Sequence, residues 1–269
     1  MISVVISYCN NDIGFLEENI IQAKKFSDDI IVVYYQFSLD GVAEDEGTLS
    51  TMLGICEKYK CSAASTNYME DKSPRCHHNK ARYVATFFVS EKNKYILFLD
   101  ADEIIEGDTF AKYLKTKDHE NYDVVALDCY WYFRERKYRA NAVEQAGVLC
   151  KASLAENLNY MYSEAERWEF KNRPDLKAKE HLRHNGVIMC HHYSWVRTKE
   201  QMLQKVKSWG HRADKDWVSL IEEEFSHEFR MRDFVHNYTF TEILKFKNEK
   251  QQGSNLRRNF ILAFMLLAI

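Results

Sequence analysis

The chain has 269 residues, 37 Lys and Arg against 40 Asp and Glu, and a formal net charge of -3. It therefore offers no basic excess of the kind that marks a nucleic-acid partner. Only 2 prolines and 9 glycines argue against linkers and low complexity, and the length suffices for one large core or two small ones. The 7 cysteines are odd in number and form no C-x-x-C pair, which predicts reduced, mostly buried thiols in a cytoplasmic protein.

In chain order, Ile2-Ser3-Val4-Val5-Ile6-Ser7-Tyr8 is rich in β-branched residues and predicts a buried strand. Cys9-Asn10-Asn11-Asp12 is a turn in which Asp12 can cap the next helix. In that helix Phe15, Leu16, Ile20, Ala23 and Phe26 recur at helical spacing. Ile30-Ile31-Val32-Val33-Tyr34-Tyr35 is a second continuous apolar strand. Strand, helix and strand in such short order predict a parallel pair with a right-handed crossover. Residues 37–47 form a polar loop, 49–59 a helix, 61–64 a weak third strand and 69–78 a polar loop containing Pro74. Residues 79–90 predict a helix that feeds Tyr95-Ile96-Leu97-Phe98-Leu99, a short apolar run of the buried-strand type.

That run ends on Asp100-Ala101-Asp102-Glu103. Alternate residues of an extended chain share a face, so both aspartates can face one point. Two hard oxygen ligands together suit Mg²⁺ or Mn²⁺ held with substrate phosphates. Ligands of open α/β sheets bind beyond the carboxyl ends of the strands. Ser7, Tyr8 and Asn10, the Tyr35 loop, and Asp100, Ala101 and Asp102 are therefore expected to converge on a ligand.

Further on, residues 108–115 predict a short helix and 123–128 a strand continued by alternating aromatics to Phe133. Residues 146–149 can pair nearby. Residues 187–190 read as a late strand that ends at His191-His192-Tyr193-Ser194-Trp195. Residues 198–209 predict a helix with Met202, Val206 and Trp209 inward, and two more segments, 217–225 and 240–246, complete a helical C-terminal third. Residues 260–269 are all apolar, but a spanning helix needs about 20 such residues. They fit either a peripheral membrane contact behind Arg257 and Arg258 or a helix packed on the body. The N-terminus carries no signal-peptide core. The organisation expected is a domain over 1–197 with a helical extension over 198–269 packed on it.

Two stretches carry a resemblance. Asn79-Lys80-Ala81-Arg82 opens the helix leading into Leu99-Asp100-Ala101-Asp102, and His192-Tyr193-Ser194-Trp195-Val196-Arg197 comes late in the chain. With the opening strand-turn-helix-strand, residues 2–105 resemble a GT-A glycosyltransferase of the family-2-like type, and the late segment is similar to one in bacterial and viral members. The resemblance implies a Rossmann-like, mixed but mainly parallel sheet flanked by helices. It implies that the Asn/Arg segment lies near a nucleotide sugar and that a late histidine, His192, completes a metal site with Asp100 and Asp102; His191 is the fallback. One departure is that Tyr34-Tyr35-Gln36 replaces the aspartate usual after the second strand, with Asp40 further on.

The chemistry expected is transfer of a sugar from a nucleoside-diphosphate sugar, UDP- or GDP-linked, to a glycan or a lipid- or protein-linked acceptor. A divalent cation offsets the charge that develops on the leaving diphosphate. Lys80, Arg82 and Arg197 are candidate diphosphate or sugar contacts, since a guanidinium binds such groups bidentately. Inversion needs a general base for the acceptor hydroxyl. Glu164 and Glu166, flanked by Tyr162 and Trp168, are the first candidates, with Glu144 and Asp175 as alternatives. His77-His78 beside Cys76 have no partner pair at zinc-ligand spacing. Two other readings compete: a nucleotidyltransferase of the same fold, against which counts the absence of a Gly-rich basic loop after the first strand, and a non-catalytic carbohydrate-binding scaffold.

Overall fold

The structure is a computed structural model and describes residues 1–38, 41–66, 74–155, 173–208 and 211–243. Its elements in chain order are β1 (Ile2–Tyr8), a 3-10 turn (Asn10–Asp12), α1 (Ile13–Ala23), β2 (Asp29–Tyr35), α2 (Glu46–Tyr59), β3 (Ser62–Thr66), α3 (Pro74–Thr86) and β4 (Tyr95–Asp100). Then come β5 (Glu103–Ile105), α4 (Gly107–Lys115), β6 (Val124–Phe133), β7 (Glu135–Lys151), α5 (Ala152–Ala155), β8 (Ala178–Leu182) and β9 (Cys190–Trp195). The described chain closes with α6 (Lys199–Ser208), α7 (Trp217–Glu224) and β10 (Phe240–Glu242).

One mixed sheet runs β3-β2-β1-β4-β7-β6-β9-β5, with β10 on β7 and β8 on β6. Its first four strands are mutually parallel, and β7 enters antiparallel to β4. The parallel strands are buried on both faces, as their unbroken apolar runs require. Alternation divides their side chains. Val4, Ile6, Val32, Leu97 and Leu99 face α1 and α2, while Val5, Ile31, Val33, Ile96 and Phe98 face α3. Burying such side chains stabilises by roughly 1.5–3 kcal/mol each. A third cluster joins Trp131, Phe133 and Trp195 of the sheet to Met202, Val206, Trp217 and Ile221 of α6 and α7.

Several expectations are corrected. Helix α3 begins at Pro74, inside the segment expected to be a loop; proline's fixed φ and missing N–H suit the first turn of a helix. Asp12 makes no capping bond to α1, because its carboxylate is used elsewhere. The late strand β9 contains both histidines instead of ending before them. Residues 240–242 form a strand on β7, not a helix. The extension is therefore not purely helical: its last described element joins the sheet of the first unit. Residues 260–269 and Trp209 lie outside the described residues. No helix among the described residues is long and apolar enough to cross a membrane.

Candidate functional site

The α3-facing rows of the four parallel strands end on polar residues. Two positions beyond Val5, Val33, Ala64 and Phe98 stand Ser7, Tyr35, Thr66 and Asp100. Ser7 and Asp100 are register partners, as are Tyr35 and Thr66. Ser7, Tyr35 and Thr66 are buried. From α3, the buried Asn79 and Arg82 close over this ledge. Arg82 Nη1 donates to Asn79 Oδ1 at 3.3 Å and Nη2 to Asp100 Oδ1 at 3.0 Å. Tyr35 donates its O–H to the carbonyl of His77 at 3.1 Å. Ser7 Oγ, Thr66 Oγ1, Arg82 Nε and, in the turn after β1, Asn10 Nδ2 are buried without a hydrogen-bond partner among the described residues. An unpaired buried polar atom costs about 1–3 kcal/mol. Such atoms gathered at the carboxyl ends of β1 and β3, in the turn after β1 and on α3 are what a polar ligand would satisfy. Lys80 is half-buried on the same helix. Tyr8 points to the other face and packs in the α1/α2 core. It is not on the ledge.

Beyond β4 the chain turns. Asn19 of α1 donates from its one amide nitrogen to the carbonyls of Asp100, Ala101 and Glu103, at 3.1, 3.1 and 2.9 Å. Glu103 Oε2 accepts the Asp100 N–H at 2.9 Å. These bonds replace the strand ladder that the sequence pattern suggested would carry both aspartates on one extended segment. Asp100 pairs with Arg82, whereas Asp102 is buried against Arg197. The two carboxylates thus meet different cations of the chain.

Asp102 Oδ2 accepts from Arg197 Nη2 at 3.1 Å and lies 3.9 Å from Lys205 Nζ. Its Oδ1 accepts no hydrogen bond among the described residues and faces His192 Nε2 at 3.8 Å. On its other side, His192 Nδ1 lies 3.6 Å from Glu144 Oε2, an ion-pair distance beyond a hydrogen bond. Glu144 Oε1 in turn lies 3.5 Å from His236 Nε2. Burial alone would depress the His192 imidazole, but Glu144, Asp102 and Glu103 together outweigh it and lift it to about 9. Asp12 is pushed up by burial and by the neighbouring Asp102 charge, against the pull of Arg197 and Lys205.

Arg197, expected as a phosphate contact, is engaged within the protein. Its Nε donates to Ser194 O at 3.0 Å, Nη1 to Asn11 O, and Nη2 to Asp12 and Asp102. Four of its five N–H groups are thereby used within the protein, and its side chain is 1% exposed. His191 is committed as well: Nδ1 shares a 2.7 Å hydrogen bond with Tyr132 O–H, and Nε2 lies 3.1 Å from Glu106 Oε1. The proposed bases Glu164 and Glu166 lie outside the described residues. Asp175 is exposed and paired with Arg173 at 3.3 Å, while Glu144 sits beside His192. Sequence reasoning missed Asp12 and Glu103 as site residues and His236 altogether. His236 had no signal, since it is one of ten histidines with no motif around it.

No cluster of three His, Cys, Asp or Glu side chains at cation-binding spacing occurs among the described residues. Two donors could share a hard divalent cation: the unbonded carboxylate oxygen of Asp102 and, once it has lost its proton, the Nε2 of His192, oxygen with one imidazole being acceptable to Mn²⁺.

No family model and no curated protein matches the chain. Among solved structures, residues 1–349 of TarS from S. aureus are similar, with 14% identity over 84% of this chain and 72% of that chain, at a TM-score of 0.49. The same fragment in complex with UDP-GlcNAc gives 14% identity over 84% and 71%, at 0.42. The 4-diphosphocytidyl-2C-methyl-D-erythritol synthase from Anaerococcus prevotii gives 12% identity over 77% and 95%, at 0.44. In fold, the protein is a mixed α/β chain whose sheet is parallel at one end and flanked by helices.

Proposed function

We propose that the chain is a metal-dependent, inverting glycosyltransferase that takes a sugar from a UDP- or GDP-linked donor to a glycan or lipid-linked acceptor. The observation that carries this reading is the ledge of unpartnered buried polar atoms at the ends of β1 and β3, roofed by Arg82, which pairs with Asp100. Ser7, Asn10, Tyr35, Thr66 and Asn79 would hold the nucleoside end. Arg82 holds Asp100 at the boundary between ledge and turn. Asp102 and His192 would hold Mn²⁺ or Mg²⁺, which when bound offsets the negative charge on the departing diphosphate. Lys205, 3.9 Å from Asp102 Oδ2, adds positive charge on that side of the carboxylate.

In the transfer, a base removes the acceptor's hydroxyl proton, the oxygen attacks the anomeric carbon, and the bond from that carbon to the diphosphate breaks. Glu164 or Glu166 would serve as the base, with Glu144 the alternative inside the described site. The test incubates the protein with radiolabelled UDP- and GDP-sugars and Mn²⁺, then separates the products. Release of nucleoside diphosphate, abolished by chelator, supports the proposal. Pyrophosphate release from a nucleoside triphosphate and sugar phosphate would favour a nucleotidyltransferase instead. No product from either mixture would favour a binding scaffold.

A further inference from the structure

We infer that Arg197 and Asp12 are positioning residues that aim the cation-ligating oxygen of Asp102; this rests on the proposed cation role of Asp102. Arg197 stands two residues beyond β9, and its guanidinium ties together three segments that approach the site separately. These are the turn after β1 through Asn11 and Asp12, the turn after β4 through Asp102, and the end of β9 through Ser194. The group also lies over the Phe15 ring, 5.6 Å from its centroid. An aspartate on a turn can populate several staggered rotamers. Here the Nη2 bond to Oδ2 selects one, and it leaves Oδ1 facing His192 without a hydrogen bond.

Asp12 has a second effect, on charge. Arg197 alone would neutralise Asp102 and weaken its pull on a cation. Asp12 shares the same Nη2, so the guanidinium charge is divided between two carboxylates and less of it is spent on Asp102. Cys9 supports this arrangement by donating its S–H to Asp12 Oδ2 at 2.8 Å. Partners that orient a metal ligand in this way typically contribute 10–100-fold in metal affinity.

The test is direct titration with Mn²⁺ alone, monitored by the EPR signal of free Mn²⁺, on the full chain and on Asp102→Ala, Arg197→Lys and Asp12→Asn, with melting temperatures for all. Asp12→Asn keeps the side-chain shape, so it remains informative if Arg197→Lys folds poorly. Glu224→Gln, which weakens the separate Arg134–Glu224 pair (3.1 Å), controls for loss of stability by itself. The expected result is near-complete loss of binding in Asp102→Ala, a roughly 10–100-fold weaker Kd in Arg197→Lys and Asp12→Asn, and wild-type affinity in Glu224→Gln. Wild-type affinity in Asp102→Ala would overturn the cation reading and the inference with it. Loss in Asp102→Ala with wild-type affinity in both clamp variants would leave the cation reading standing and overturn the positioning role. A loss in Glu224→Gln equal to that in the clamp variants would also overturn it.

Discussion

Replacing Arg197 by methionine removes the charge and keeps most of the volume. It leaves the buried carboxylates of Asp12 and Asp102 without their shared guanidinium, with Lys205 at 3.9 Å and His192 at 3.8 Å from Asp102 in partial compensation. Breaking a buried pair from one side costs about 3–5 kcal/mol, because the remaining charge stays out of water. At roughly 2–4 °C per kcal/mol for a chain of this size, the melting temperature should fall by roughly 6–20 °C. The pH dependence has a definite sign. Asp12 is already raised in the folded state by burial and by Asp102, with Arg197 opposing, so losing Arg197 raises it further. A raised carboxyl binds more protons folded than unfolded, so its penalty grows as pH rises and shrinks as pH falls. Urea melts of wild type and variant from pH 8 down to about 5 should show a deficit that is largest at pH 8 and narrows on acidification. Adding Asp12→Asn should return part of the loss, since one of the two stranded charges is then gone. A loss below about 1 kcal/mol at neutral pH, or a deficit that widens as pH falls, would refute the clamp.

Ser7→Ala removes an oxygen with no partner among the described residues, so stability should hold or rise by up to about 1 kcal/mol in a denaturant melt. Binding of the nucleotide sugar should weaken in calorimetry. Gly107→Ala puts a Cβ 2.2 Å from the backbone oxygen of Gln22, a clash that cannot be relieved by a side-chain rotation. About 1–3 kcal/mol of stability should be lost, measured by thermal melting. His192 stands at about 9 in the folded state, above its ordinary value. Its contribution is present below about pH 6.5 and is lost as pH rises through about 9. The stability difference between wild type and His192→Gln should therefore be largest near pH 6 and vanish by about pH 10, and the affinity for Mg²⁺ should climb over the same interval as the proton leaves.

The half of the fold that could be read in advance is the half with long apolar runs. β1, β2 and β4 are continuous strands buried on both faces, and such runs announce themselves. β7 did not: its first eleven residues, up to Gln145, are mostly polar and half-exposed, so only residues 146–149 were legible as a strand. β10 is three residues long and exists because it pairs with β7, which is information from the far end of the chain. In the site, Asp100, Asp102, Arg82 and His192 stood in recognisable stretches, and the structure brings His192 to Asp102 and Arg82 to Asp100. The split between the aspartates was not legible, because it comes from the turn that Asn19 holds from another element. Arg197 stood just past the two histidines as a candidate phosphate contact. Only the fold shows Asp12 and Asn11 arriving to enclose it.

Isothermal calorimetry with UDP- and GDP-sugars, with and without Mn²⁺, on wild type and Asp102→Ala tests the account most directly. One nucleotide sugar should bind wild type tightly only when Mn²⁺ is present, and that gain should disappear in Asp102→Ala. Absence of binding by every nucleotide sugar in the presence of Mn²⁺, or equal Mn²⁺-dependent binding by Asp102→Ala, would contradict it.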